Sequence, residues 1–169
     1  MQYFITIIIT GLLYFLILKD CNKIILYALV LFLSAGKTIY FCRSVFNKLI
    51  ALTQTIKYLN FLGFVALNIL FLVISFSLDY FLIYTIDPNS FSGVENVQNN
   101  YEAYFKMFYL SFLLFTNMGV ANVVPVAIPA ECLVVFEAIT SFATIIFILS
   151  DFGTLKDSLN KYRKDYMQK

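Results

Sequence analysis

The stretch that decides the fold is residues 109–126, which read YLSFLLFTNMGVANVVPV. Its first part is the end of a short apolar helix that runs from about Tyr101 to Phe115. This helix is too short to cross a membrane with both ends in water. A run without periodicity follows, and a second apolar segment then begins at Pro129. A short helix, an irregular segment and a full span in this order indicate a re-entrant loop, because irregular backbone at membrane depth needs protein or a water-filled cavity to satisfy its polar groups.

The composition is typical of a chain that lies in lipid. Of its 169 residues, 61% are apolar and 13% are charged, which is about half the charged fraction of a soluble domain. The mean hydropathy is +0.83. A net charge of +2 is too small to attract a polyanion and excludes nucleic acid as a partner. The chain has no histidine and no clustered carboxylates, so we expect neither an enzyme nor a cofactor.

Four apolar stretches are predicted to cross the membrane, namely residues 3–18, 24–41, 61–85 and 129–150. The predicted fold is therefore an all-α membrane protein with four transmembrane helices and a re-entrant helix and loop between the third and the fourth. We divide the chain into an N-terminal two-helix hairpin (1–42), an amphipathic surface helix (43–60), a membrane module (61–150) and a helical tail (151–169).

Charge placement predicts the orientation in the lipid bilayer. The segment 43–60 carries Arg43, Lys48 and Lys57 and no acid, so the positive-inside rule places it in the cytoplasm. Both termini are then cytoplasmic, and the loop over residues 86–100 is external. We therefore expect a multi-pass protein of the cell membrane.

Polar residues mark two predicted helix starts. Asp20 or Asn22 is suited to cap the second membrane helix. Asn99 followed by Glu102 has the spacing of a capping box and opens the short apolar helix.

Three charged residues fall well inside predicted spans, away from the first residues of each span. Lys37 is predicted to extend its amine to the nearer interface. Asp79 is interpreted as an interhelical or interfacial residue. Glu137 is a functional candidate because burial of an acid in a membrane is costly. We favour for it the role of a structural brace that hydrogen-bonds the back of the short helix before the loop.

The last span continues with polar residues and then with an apolar stripe. Thr140, Ser141 and Thr144 lie on the same helix as Glu137 and either line a wet cavity or pack as small residues between helices. The stripe that follows includes Ile148 and Phe152, which are candidates for a gate that closes by dewetting.

The residues quoted above, with LVVFEA at 133–138, resemble the pore helix, filter and inner helix of prokaryotic pore-loop potassium channels of the two-transmembrane type. The usual run in that family is T-x-T-T-V-G-Y-G-D-x-x-P, followed by L-x-x-L-E-A. The resemblance implies an outer helix (61–85), a pore helix (101–115), a filter (116–122) and an inner helix (129–150). It also implies a homotetramer, because one chain supplies one loop and a ring of loops makes the pore.

Carried over residue by residue, the resemblance implies a seven-residue selectivity filter. Its members are Thr116, Asn117, Met118, Gly119, Val120, Ala121 and Asn122. The resemblance further implies that a permeant K⁺ or Na⁺ ion would bind the backbone carbonyls of four of them. These four are Asn117, Met118, Gly119 and Val120.

The filter departs from the family pattern at four of its five central positions. Gly119 is retained, whereas Asn117 replaces the filter threonine and Ala121 replaces the second glycine. A potassium filter needs rings of carbonyls with backbone angles that glycine adopts without steric cost. We therefore expect a weakly selective cation channel. The alternative is a non-conducting, channel-derived membrane scaffold or partner subunit.

Overall fold

The computed structural model describes residues 22–52, 58–95, 97–118 and 122–146. Its elements in chain order are α1 (Lys23–Leu52), α2 (Tyr58–Ile86), a 3-10 turn (Pro88–Ser90), β1 (Phe91–Ser92), α3 (Asn100–Phe115), β2 (Val124–Pro125) and α4 (Ile128–Ile146). The predicted first span (3–18) and the predicted tail (151–169) lie outside the described residues.

Three helices contain a segment that is long and apolar enough to cross a membrane. These segments are Lys23–Phe41 in α1, Gly63–Ile86 in α2 and Ile128–Ile146 in α4. They coincide with the second, third and fourth predicted spans. The prediction of an α-helical membrane protein is confirmed at this level, and the count of four spans stays a prediction.

Helix α1 continues past the boundary that we predicted at residue 43. The predicted hairpin (1–42) and separate surface helix (43–60) differ from the structure, in which α1 extends to Leu52 and α2 begins at Tyr58. Neither proline nor glycine occurs between Lys37 and Leu52, so nothing in the local sequence ends the helix there. The change from apolar to charged residues at Arg43 alters the surface of the helix and leaves its backbone intact.

The caps differ from prediction at one of the two helix starts. Asn22 caps α1 as predicted, because its side-chain oxygen accepts the backbone N–H of Ile24 at 3.2 Å. Asn99 stands at the N-cap of α3 but its side chain makes no capping hydrogen bond. The predicted capping box is therefore wrong, and the Glu102 carboxylate instead lies 3.4 Å from the backbone N–H of Gln98.

Helix α3 runs back into the bundle, antiparallel to α2. Tyr104 packs against Phe81 with ring centroids 5.8 Å apart, whereas Ser111, further along α3, donates to the backbone oxygen of Val73 at 3.0 Å. Val73 lies about 20 Å along α2 from its last residue, Ile86, at ~1.5 Å per residue. The C-terminal half of α3 therefore reaches the middle of the candidate membrane-spanning segment of α2.

The chain returns to the end of the bundle from which α3 starts. Strands β1 and β2 are antiparallel, with Phe91 opposite Pro125 and Ser92 opposite Val124. The backbone oxygen of Ser90 also accepts the N–H of Val126 at 2.9 Å. These bonds place the segment that precedes α3 beside the segment that follows it.

The core lies where α1, α2, α3 and α4 meet. Phe76 of α2 and Phe136 of α4 pack edge to face, with centroids 6.1 Å apart. The buried apolar side chains of this cluster include Val30 of α1, Val73 and Ile83 of α2, Met107 and Leu110 of α3, and Leu133 of α4. Burial of these faces fixes α3 against α2 and α4.

Substitution of Gly93 tests the closure of the loop. Gly93 has φ +83°, and a Cβ atom there would overlap the backbone oxygen of Asn122. We expect Gly93→Ala to lower the free energy of unfolding in detergent micelles by roughly 2 kcal/mol or more, since alanine is strained at positive φ and the two segments must separate. Thermal unfolding followed by circular dichroism measures this.

Gly63→Ala in α2 is the matched control. A Cβ at Gly63 meets nothing within 4 Å, and alanine is the better helix former. We expect this variant to be as stable as the wild type or more so. Equal unfolding temperatures of Gly93→Ala and the wild type would contradict the described approach of Gly93 to Asn122.

Candidate functional site

The end of α3 is closed by a Schellman motif at the start of the predicted filter. The backbone N–H of Asn117 donates to the oxygen of Leu114 at 3.2 Å, and that of Met118 donates to the oxygen of Leu113 at 3.1 Å. Asn117 has φ +54°, the left-handed conformation that this cap requires and that asparagine tolerates. The residue assigned to the filter threonine position is thus the C′ residue of the helix cap.

The described part of the predicted filter is exposed in the single chain. Thr116, Asn117, Met118 and Asn122 are all exposed, and Val123 is the first buried residue after the loop. Gly119, Val120 and Ala121 lie outside the described residues. The structure therefore describes two of the four residues whose carbonyls were predicted to bind a cation, Asn117 and Met118.

Glu137 joins three helices beside this loop. Its carboxyl group is fully buried. One carboxyl oxygen lies 2.5 Å from Oγ of Ser111 in α3, and the other accepts the hydroxyl of Tyr80 in α2 at 2.7 Å. The predicted contact of Glu137 with the helix before the loop is present, and the contact with Tyr80 adds α2 to it.

A second buried polar contact joins α1 to α2. The Lys37 amine bonds the Asp79 carboxylate at 2.5 Å, with side chains 9% and 4% exposed. The interpretation of Lys37 as a residue that extends to the interface is wrong, because a carboxylate of opposite charge lies within reach inside the bundle. The interhelical alternative for Asp79 is correct.

These two contacts form an interhelical polar network of five residues. Its members are Lys37 in α1, Asp79 and Tyr80 in α2, Ser111 in α3 and Glu137 in α4. Asp79 and Tyr80 are neighbours in sequence, so the ion pair and the carboxyl cluster are joined through a single peptide unit. All four described α-helices contribute to this network.

The three hydroxyl-bearing residues of α4 that follow Glu137 bond within their own helix. Thr140, Ser141 and Thr144 donate to the backbone oxygens of Phe136, Ala138 and Thr140 at 2.8, 3.0 and 2.7 Å. Thr140 and Ser141 are buried within the single chain and Thr144 is half-buried. The packing alternative accounts for the burial of the first two. Ile148 and Phe152, the gate candidates, lie outside the described residues.

The loop between α2 and α3 has its own polar contacts. The Glu95 carboxylate accepts the backbone N–H of Gly93 at 3.0 Å, and this bond lowers the pKa of Glu95. The Lys106 amine donates to the backbone oxygen of Gly93 at 2.9 Å. Both side chains therefore support the backbone at the residue that contacts Asn122. In the part of the chain that the structure describes, no group of His, Cys, Asp and Glu could coordinate a metal ion.

The network contains partners that sequence reasoning missed. Ser111 lies on the buried face of α3, together with Met107 and Leu110. A buried hydroxyl requires a hydrogen-bond partner. Lys37 and Asp79 are opposite charges inside neighbouring spans, which pair in a membrane. Both signals were in the sequence, whereas the contact of Tyr80 with Glu137 depends on how the helices pack.

Comparisons of the chain with protein-family models, with curated proteins and with solved structures found no match.

Substitutions at Asn117 test the helix cap. We expect Asn117→Gly to leave the unfolding temperature unchanged or higher, because glycine adopts positive φ without steric cost. Asn117→Thr should destabilise the protein by roughly 1–2 kcal/mol, since a β-branched residue is strained there. Asn122→Thr is the control, because no positive φ occurs at this exposed asparagine. Equal effects of threonine at positions 117 and 122 would contradict the cap.

A double-mutant cycle tests the ion pair. Lys37→Met and Asp79→Leu should each destabilise the protein by roughly 3 kcal/mol, because each leaves a buried charge without a partner, and the double variant should recover most of the loss. Thermal unfolding in micelles measures all three. Lys23→Met is the control, since Lys23 meets Asp87 at 3.9 Å and is 65% exposed, and such pairs contribute less than ~1 kcal/mol. Additive single effects would argue against a direct pair.

Proposed function

We propose that the chain is a subunit of a homotetrameric cation channel of the pore-loop class. The observation that carries this proposal is the path of the chain around α3. The helix enters the bundle to the middle of the candidate span of α2, and Asn122, four residues after Met118, leads back into β2 beside β1. The 16 residues of α3 measure ~24 Å, and the chain from Thr116 to Val124 can extend over at most ~28 Å, so the return is geometrically possible.

The exposed loop supports a ring of subunits. Thr116, Asn117 and Met118 are exposed in one chain, at a level of the bundle that corresponds to the interior of the membrane. Irregular backbone cannot face lipid there. Neighbouring copies around a water-filled axis would satisfy both the backbone and the polar side chains, and a closed ring is the usual symmetric solution. Four copies follow from the resemblance to potassium channels.

The charge of the permeant ion follows from the helix dipole. The C-terminus of α3 carries negative partial charge and ends near mid-span, where a hydrated cation would reside. Cations are therefore favoured over anions. The sequence Asn-Met-Gly-Val-Ala at positions 117–121 lacks the second glycine and the tyrosine of a potassium filter. The proposal is accordingly a channel that passes K⁺ and Na⁺ with weak selectivity.

The orientation belongs to the same proposal. Arg43 and Lys48 near the end of α1, and Lys57 before α2, favour a cytoplasmic location for the connection between these two helices. The loop that contains β1 and β2 then lies outside the cell, as do the exposed acids Glu102 and Glu131. Both termini are cytoplasmic, and the protein belongs to the cell membrane.

One observation favours the alternative of a non-conducting scaffold or partner subunit. Asn117 has a positive φ and closes the Schellman motif. The cap fixes the backbone conformation of this residue. The direction of its carbonyl is therefore set by the end of the helix and not by a bound ion. The two functions differ in one measurable property, which is conductance.

Bilayer recordings of the purified protein separate these functions. We expect currents whose reversal potentials follow the K⁺ and Na⁺ gradients and are independent of the Cl⁻ gradient. Cross-linking of the same sample should give a tetramer. A tetramer without current would support the scaffold, and reversal potentials that follow Cl⁻ would contradict cation passage.

Changes in the filter test whether this loop determines selectivity. The combined change Met118→Val, Val120→Tyr and Ala121→Gly, with or without Asn117→Thr, should raise the potassium-to-sodium permeability ratio. The triple change is the control for folding, because threonine is strained at the φ of Asn117. An unchanged ratio in folded tetramers would mean that the loop is not the selectivity element.

A further inference from the structure

Glu137 and Ser111 make three close oxygen–oxygen contacts. Tyr80 lies 2.7 Å from one carboxyl oxygen, and Oγ of Ser111 lies 2.5 Å from the other. The same Ser111 oxygen lies 3.0 Å from the backbone oxygen of Val73. Each hydroxyl carries one proton and a backbone oxygen carries none. Two hydroxyl protons can serve three contacts only if the Ser111 proton is shared between two acceptors, so a separate hydrogen bond in each contact needs a third proton.

The carboxyl group of Glu137 can itself supply this third proton. If Glu137 carries a proton on the oxygen that faces Ser111, it donates to Oγ of Ser111. The Ser111 hydroxyl then donates to Val73, and the Tyr80 hydroxyl donates to the other carboxyl oxygen. Each of the three contacts is then a hydrogen bond with one donor and one acceptor, and every polar atom of the cluster has a partner.

The charges around Glu137 favour the same state. Neither of the two ion pairs among the described residues includes Glu137. Its side chain is 0% exposed. Because burial of a carboxylate without a cation is costly, such a group binds a proton and becomes neutral.

The titratable groups on the surrounding helices do not supply that cation. Helix α2 contributes Tyr80 and Asp79, and the Lys37 amine of α1 is already bonded to Asp79. On α3, Lys106 donates to Gly93 and Glu102 is exposed. The nearest titratable residues of α4, Glu131 and Cys132, are also exposed.

We propose that Glu137 is a neutral carboxylic acid in the folded protein and that its proton, donated to Ser111, positions α3 against α2. Glu137 is thus a positioning residue for the helix that precedes the loop. The protonation of Glu137 in the folded chain is independent of whether the assembly conducts ions.

Infrared difference spectroscopy tests the proton directly. We expect the wild type at neutral pH to show a protonated carboxyl C=O band that shifts in D₂O and is lost in Glu137→Gln. Glu131→Gln is the matched control, because Glu131 is on the same helix and exposed, and it should leave the band unchanged. The absence of a carboxylic acid band that depends on Glu137 would overturn the proposal.

The positioning role has its own readout. Ser111→Ala removes the acceptor of the proposed proton and should shift the Glu137 band to higher frequency. Ser141→Ala is the control, since Ser141 is also buried but bonds only the backbone oxygen of Ala138 in its own helix, and it should leave the band in place. An unshifted band in Ser111→Ala would refute donation to Ser111.

Thermal stability distinguishes the neutral from the ionised state. A glutamine has the shape of the neutral acid, and its amide donates to Ser111 while its oxygen accepts from Tyr80. We expect the unfolding midpoint of Glu137→Gln within about 2 °C of the wild type. A rise of roughly 5 °C or more would mean that glutamine had replaced a costly buried charge, which contradicts the proposal. Neither readout uses conductance, so failure of the channel proposal is recognised separately.

Discussion

The buried carboxyl group of Glu137 is the contact on which the arrangement of the membrane module depends. A backbone segment that enters a membrane and turns there must be fixed by protein, because lipid offers no hydrogen bonds. Apolar packing between helices in lipid is weakly directional. The bonds of Glu137 with Ser111 and Tyr80 are directional, and they define the depth and rotation of α3 relative to α2 and α4.

The opposite end of the same excursion is fixed by backbone contacts. Strand β1 pairs with β2, and the backbone of Gly93 passes so close to Asn122 that only glycine fits. The chain from Gly93 to Val123 is therefore fixed at its ends by β-pairing and at its deepest helix by Glu137. Between these restraints, the described residues Met118 and Asn122 lie outside the helices, after the cap at Asn117.

The sequence predicted the elements better than the contacts between them. Apolar runs gave three spans that the structure contains and the short α3, because these depend on local composition. The continuation of α1 to Leu52 was missed, since a change in surface polarity was interpreted as a break in the backbone. Lys37 was assigned to the interface because its partner Asp79 is 42 positions away, and which faces of α1 and α2 meet is decided by packing.

The interhelical polar network makes α1 part of the membrane module. Lys37 and Asp79 are paired inside the bundle, and α1 cannot leave α2 without exposing both groups to an apolar medium. Asp79 and Tyr80 are consecutive in α2, so a rotation of α2 that moved the Asp79 carboxylate toward Lys37 would also move the Tyr80 hydroxyl relative to Glu137. The polar contacts that hold α1 and those that reach the cluster of α3 and α4 therefore start from two adjacent residues of α2.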